Sequence, residues 1–269
     1  GIVMAGFMVL PQIPYGSLPD QNRFFARSFF PRVIEEFDFI LQVKGIRAKH
    51  SAVIESALKK NQTTPSSLDK LNGIDVYLFF IESYGHTIFG DARHFPKIEP
   101  DLIALEKMLN EQGFEVVSNF FDSPTYGGAS WLAHATLASG VHINNHMRYN
   151  LLITSQVKTL VRYFNTAGYR TVRAMPGTQW PWPEGEFYGY QAKYYAWHFD
   201  YLGPMYGWST MPDQYVLDFI RRREMETANQ PLFIEFILVS SHAPFHRQPP
   251  YLEDWSQIDN GAIYNNLKT

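Results

Sequence analysis

The chain has 269 residues, 45% of them hydrophobic, and a formal charge of −3, which suffices for one large core and gives no basic face for nucleic acid. It contains no cysteine, which excludes disulfides, zinc-thiolate sites and a cysteine nucleophile and leaves the redox compartment open. Aromatic residues make up 16%, as suits either a thick core or a groove lined by rings.

Residues 1–10 are an uncharged apolar run, shorter than the roughly 20 residues that span a bilayer. They read equally as the outer end of a membrane helix or as a buried strand or helix. Residues 11–72 mix polar residues with short apolar stretches, and the Asn-Gln-Thr-Thr-Pro-Ser-Ser segment at 61–67 reads as a loop or linker. This division gives an arm over 1–72 and a domain over 73–269. Residues 74–81 (IDVYLFFI) read as a strand buried on both faces of a parallel sheet. A helix follows over 100–112 with Gly113 as its stop, then a strand over 114–121. Further on, 154–167 suits a helix ended by Gly168, 169–174 a strand, 213–226 a helix and 231–239 a second buried strand. Alternation of this kind predicts an α/β fold with a mainly parallel central sheet flanked by helices.

Chemistry-bearing residues fall at the ends of these elements. Gly127 and Gly128 lead into Ser130, which opens a run of helix formers ending at Ser139 and Gly140. A helix N-terminus presents free N–H groups and positive dipole, favouring an anionic ester and a serine alkoxide. Serine is equally a preferred cap residue. Glu82 ends the apolar strand at 74–81, where open α/β sheets form their crevice and a hard cation needs oxygen ligands. An ordinary polar residue at a strand end also explains it. His242, in Ser240-Ser241-His242-Ala243-Pro244-Phe245-His246, follows the 231–239 strand and reaches the same edge. There an imidazole can bind an ester oxygen or protonate a leaving group.

Together these elements resemble the alkaline phosphatase and sulfatase superfamily, in particular its membrane-anchored branch of lipoteichoic acid synthases and phosphoethanolamine transferases. The matching motifs are Ile81-Glu82-Ser83-Tyr84-Gly85, Ser130 with the Leu137-Ala138-Ser139-Gly140 exit, and His242 to Phe245. The resemblance covers residues 74 to about 260. It implies an alkaline phosphatase-like fold, Ser130 as catalytic nucleophile, Glu82 and Ser130 as metal ligands, and His242 as a substrate-binding residue. Trp131, beside the nucleophile, and His134, one turn beyond it, join His242 as substrate-binding candidates; His134 also reads as a partly buried helix histidine. The implied cofactor is a divalent metal: zinc, manganese, magnesium or calcium. The implied substrate is an anionic ester, on a lipid headgroup or glycan of the cell envelope. Its setting would be extracytoplasmic, periplasmic or at the cell surface, with the full-length protein attached to the inner membrane.

True sulfatases use a formylglycine made in a motif with Pro or Ala two positions after the nucleophile and Arg four after it. Here those positions hold Leu132 and His134, so the resemblance implies an unmodified serine. Thr125 is the rival nucleophile, because the transferase branch often uses threonine. The superfamily's Asp-His metal pair is absent from the 269 residues, and the expectation is that it lies beyond Thr269, leaving the domain incomplete at its C-terminus.

Several other features are open to two readings. His142 and His146 have a chelating spacing, but Asn144 and Asn145 suggest a loop. The ring-rich stretch 180–208 suits a sugar-stacking surface or an irregular packed flap. Asp213, after Pro212, reads as a helix-start residue. Two rival functions stand beside the enzyme: a non-catalytic sulfatase-like domain that binds an anionic envelope ligand, and a triad serine hydrolase, which Trp131-Leu132 disfavours because they break a Gly-x-Ser-x-Gly elbow.

Overall fold

The computed structural model describes residues 29–63, 67–206, 210–243 and 247–267, with side chains from residue 43 onward. The apolar run at 1–10 lies outside them. The chain divides into two compact units, Gly1–Ala48 and Lys49–Thr269. Within the polar region expected to be an arm runs a 35-residue helix, α1 (Phe29–Thr63), whose last turn includes Asn61. In the larger unit its residues pack: Ile54 is buried, and Asn61 donates to Tyr163 Oη at 3.0 Å and accepts from Lys158 N at 2.8 Å. No helix among the described residues is long and apolar enough to cross a membrane.

Among the described residues four strands form one parallel sheet: β1 (Val76–Ile81), β2 (Arg170–Met175), β3 (Ala192–Tyr195) and β4 (Leu232–Leu238), in the spatial order β1-β4-β2-β3. The α/β expectation is met. Among the described residues seven further α-helices accompany the sheet: α2 (His86–Gly90), α3 (Phe95–Glu111), α4 (Ser130–Ser139), α5 (His146–Ile153), α6 (Leu160–Thr166), α7 (Gly185–Tyr188) and α8 (Asp213–Ile220). A π-helical turn extends α8 over Arg221–Met225.

The central strand β4 is buried on both faces because a core packs on each side of it. Phe233 joins α4, α5 and α6 residues in one cluster, stacking on Phe164 at 4.1 Å between ring centroids. Leu232, Ile234, Phe236 and Leu238 join Val172, Ala174 and the α8 residues Tyr215, Val216 and Ile220 in the other. Burial of this kind is the main favourable term of folding. At the start of β4, Asp75 Oδ1 accepts from Leu232 N at 2.8 Å, tying it to the approach to β1.

Three expectations need correction. Among the described residues β1 lies at the edge of the sheet and is not buried on both faces: Val76, Leu78 and Phe80 are half-buried, whereas Tyr77, Phe79 and Ile81 are exposed. A continuous apolar run records hydrophobicity but not position in the sheet. Residues 114–121 form no strand, and Val117 and Phe121 are 92% and 89% exposed. Their β-branched and aromatic composition favours a pleated surface, but a strand also needs a partner ladder. The helix expected over 154–167 begins only at Leu160, where Thr159 caps it by accepting from Arg162 N. Before that, Ser155 Oγ turns the chain by donating to Leu152 O and accepting from Val157 N. In the ring-rich stretch 180–208, sequence reading missed α7 and β3.

Candidate functional site

α4 begins at Ser130, as expected, but Ser130 does not cap it. Ala129 occupies the cap position with φ of 55°, and no side chain caps the helix. Ser130 is therefore the first helical residue, half-buried, and its hydroxyl makes no hydrogen bond among the described residues. The exit is latched more firmly. Ser139 Oγ donates to Ala135 O at 2.6 Å and accepts from Val141 N, Thr136 Oγ1 accepts from Ile143 N, and Gly140 takes the left-handed conformation at φ 67°. The Ser-Gly pair is thus a helix stop with both its polar groups in use.

Glu82 follows β1 directly and is half-buried. Ser83, its successor, has φ of 65°. A non-glycine residue in this region costs about 1–2 kcal/mol, and such strain collects at sites that need a fixed geometry. Ala129 before Ser130 and Ser83 after Glu82 are two of the six such residues in the described chain.

The sheet brings Glu82 and His242 to one edge. Ile81 pairs with Leu238 in register, so the turns after both strands emerge together, and Ser241 Oγ donates to Glu82 O at 2.7 Å. His242 is half-buried, its N–H bonded to Val239 O and its Nδ1 2.5 Å from Ala243 O. Pro244, Phe245 and His246 of that motif lie outside the described residues. Asp213 braces the same loop: its carboxylate accepts from Val239 N and Ser240 N, and its own N–H donates to Ser240 Oγ. The expected helix-start residue is the first residue of α8, with Pro212 as cap. Burial raises its pKa, opposed by these hydrogen bonds.

α4 joins this edge through His134. The imidazole lies over Phe80 of β1 at 4.0 Å between centroids, two residues before Glu82, and Ser130 is one turn earlier, about 6 Å along the helix axis. His134 is buried. Desolvation, reinforced by the Arg173 charge, lowers its pKa to about 3, so the ring is neutral. Trp131 is 43% exposed, its ring 5.6 Å from that of His146. Asn145 caps α5 and His146 opens it, so His142 and His146 do not share a helix. Thr125 sits half-buried in the preceding loop, its N–H donating to Ser123 Oγ.

A buried charged cluster escaped sequence reading. Arg173 of β2 and Glu235 of β4 are register partners, with Nε 2.9 Å from Oε1 but not aligned for a hydrogen bond. Tyr190 Oη donates to Glu235 Oε2 at 2.5 Å. The guanidinium is 4.5 Å from the Trp182 ring centroid and 5.5 Å from those of Tyr188 and Tyr190. The available signal was a lone charge inside each of two apolar strands, Val172-Arg173-Ala174 and Ile234-Glu235-Phe236. In the 180–208 stretch, Phe187, Tyr188, Tyr190, Phe199 and Tyr206 are core, while Trp180 and Trp197 remain exposed.

Among the described residues no three His, Asp or Glu side chains converge as metal ligands. The described side chains, Glu82 among them, do not by themselves compose a metal site.

Residues 89–264 match the sulfatase family. Among solved structures, the chain is similar to the lipoteichoic acid synthase LtaP of Listeria monocytogenes, with a TM-score of 0.50 and 16% identity. The likeness covers 72% of this chain and 49% of that protein, so the chain spans about half the length of this structural relative. It extends to the fold: a parallel sheet flanked by helices. No curated protein matches the chain.

Proposed function

The chain belongs to the sulfatase family, and we propose that it carries the nucleophile-bearing part of a phosphoric or sulfuric ester hydrolase or transferase working through Ser130. The observation carrying this reading is that Ser130 opens α4 without capping it. Its hydroxyl is uncommitted to hydrogen bonds among the described residues, beside the N–H groups that the helix cannot pair internally.

In the first step Ser130 Oγ gives up its proton and attacks the phosphorus or sulfur in line, and the ester oxygen leaves on the opposite side, taking up a proton to depart as an alcohol. The first turn of α4 and His242 stabilise the oxygens on which charge accumulates. Water or an acceptor hydroxyl then takes the group from Ser130. With Leu132 and His134 at the positions that formylglycine formation reads, Ser130 acts unmodified. Family members typically use a divalent metal, which supplies Lewis acidity toward the ester; Glu82 would be one of its ligands. Trp131, through its exposed ring, is the further substrate-binding candidate.

The substrate class we propose is an anionic ester on a cell-envelope lipid or glycan, by analogy with the lipoteichoic acid synthase that shares the fold. On the same reading the domain works outside the cytoplasm, and the full-length protein is anchored in the inner membrane. The test is to incubate the full-length protein with a divalent metal and a chromogenic phosphodiester, then seek a phosphorylated peptide by mass spectrometry. Modification of Ser130, lost together with activity in Ser130→Ala, is expected. Undiminished turnover by Ser130→Ala, or modification of Thr125 instead, sinks the assignment.

A further inference from the structure

We propose that His134, Arg173 and Glu235 are positioning residues that fix where α4 sits along the sheet, and so where Ser130 meets the reacting ester. The proposal rests on the reading of Ser130 as nucleophile. Most of what α4 buries is small or apolar: Leu132, Ala135 and Ala138. Burial of such surfaces is non-directional, and a polar contact adds a directional fix. Among the described residues, the polar contact from α4 to the sheet runs through His134, whose Nδ1 is 3.5 Å from Arg173 Nη2.

Arg173 is suited to serve as the fixed end of that contact. Its side chain is 5% exposed, and it is held by Glu235 on the neighbouring strand and enclosed by the rings of Trp182, Tyr188 and Tyr190. Glu235 is fixed in turn by the Tyr190 hydroxyl. Burial raises the Tyr190 pKa well above its ordinary value, with the Glu235 charge adding to it, so the phenol keeps the proton it donates. A guanidinium is a rigid planar fork, and here one nitrogen engages Glu235 while another faces His134. His134 stays neutral well below ordinary pH, and because a guanidinium can only donate, Nδ1 is the acceptor in its contact with Arg173. The chain of contacts from β4 through β2 to α4 therefore keeps one geometry throughout the range where an enzyme would operate. Displacement of a reacting group by ~1 Å can cost roughly 100-fold in rate, less than the 1.5 Å rise of one helical residue.

The experiment compares four variants of the full-length protein with bis(4-nitrophenyl) phosphate and a divalent metal: Ser130→Ala, His134→Leu, His134→Asn and Arg173→Lys. His134→Leu removes the acceptor and is expected to lower kcat roughly 100-fold while KM stays nearly constant. His134→Asn carries an amide oxygen near the Nδ1 position and should recover most of that loss. Arg173→Lys should lower kcat in the same way, since a single ammonium cannot reach both Glu235 and His134; it carries the test if His134→Leu does not fold. Wild-type kcat in a folded His134→Leu, or equal losses in the Leu and Asn variants, overturns the positioning role while leaving Ser130 in place. Full activity in Ser130→Ala overturns the nucleophile reading and the positioning role with it.

Discussion

The hydroxyl of Ser241, just beyond β4, donates to the backbone carbonyl of Glu82, just beyond β1, at 2.7 Å. The bond ties together the turns that follow the last ladder pair, Ile81 and Leu238, and that carry Glu82 and His242. Ser241→Ala should therefore loosen both turns. A net loss of about 1 kcal/mol is expected, equivalent to roughly fivefold faster amide exchange near Ser83 and Tyr84 if they open locally. Hydrogen exchange followed by mass spectrometry checks this; unchanged exchange there would mean that the turns hold without the hydroxyl.

The buried imidazole of His134 predicts a specific pH dependence. Its folded pKa, about 3, lies below the ordinary 6.5, so the unfolded chain takes up the proton first. The stability it contributes is complete above pH 6.5 and declines as pH falls toward 3, by up to about 1.4 kcal/mol per pH unit. Urea denaturation at a series of pH values should show a shallower acid slope for His134→Asn than for the wild type. In an NMR titration, the His134 ring resonance should not move between pH 8 and 5.

Arg173 and Glu235 make a second stability prediction. Removing one member of a buried pair strands the other charge, which typically costs about 3–5 kcal/mol. Arg173→Met and Glu235→Leu should each destabilise by that order, whereas the double variant should lose much less than the sum. Chemical denaturation of all four proteins completes the cycle, and additive losses would mean that the charges are not coupled.

Gly140, at φ 67°, ends α4 in a conformation that disfavours a side chain, although a Cβ there would meet open space. Gly140→Ala should thus cost about 1 kcal/mol through backbone strain alone. For a domain of this size that lowers the melting temperature by roughly 2–4 °C, measurable by calorimetry.

How much could be read in advance differed from element to element. β2, β4 and α4 were legible within a residue or two, since each combines an apolar pattern with a local stop such as Gly140 or Gly168. The strand expected at 114–121 was not, because a strand exists only through a partner that local sequence does not specify. β3 was obscured because its Tyr194-Tyr195 pair lies in a stretch where rings serve both core and surface. The long α1 lacked a clear amphipathic pattern, so its polar residues read as an arm.

The sequence by itself determined the α/β class, the order of its main elements, and the seats of Glu82, Ser130 and His242 at the ends of strands or the start of a helix. Those follow from periodicity and chain stops, which are local. Only the tertiary structure decided that Ser130 leaves the capping position to Ala129, that β1 lies at an edge of the sheet the described residues form, and that His134 turns inward to Arg173. Each of these depends on which surfaces are covered by residues distant along the chain. Burial and pairing, unlike periodicity, are properties of the packed whole.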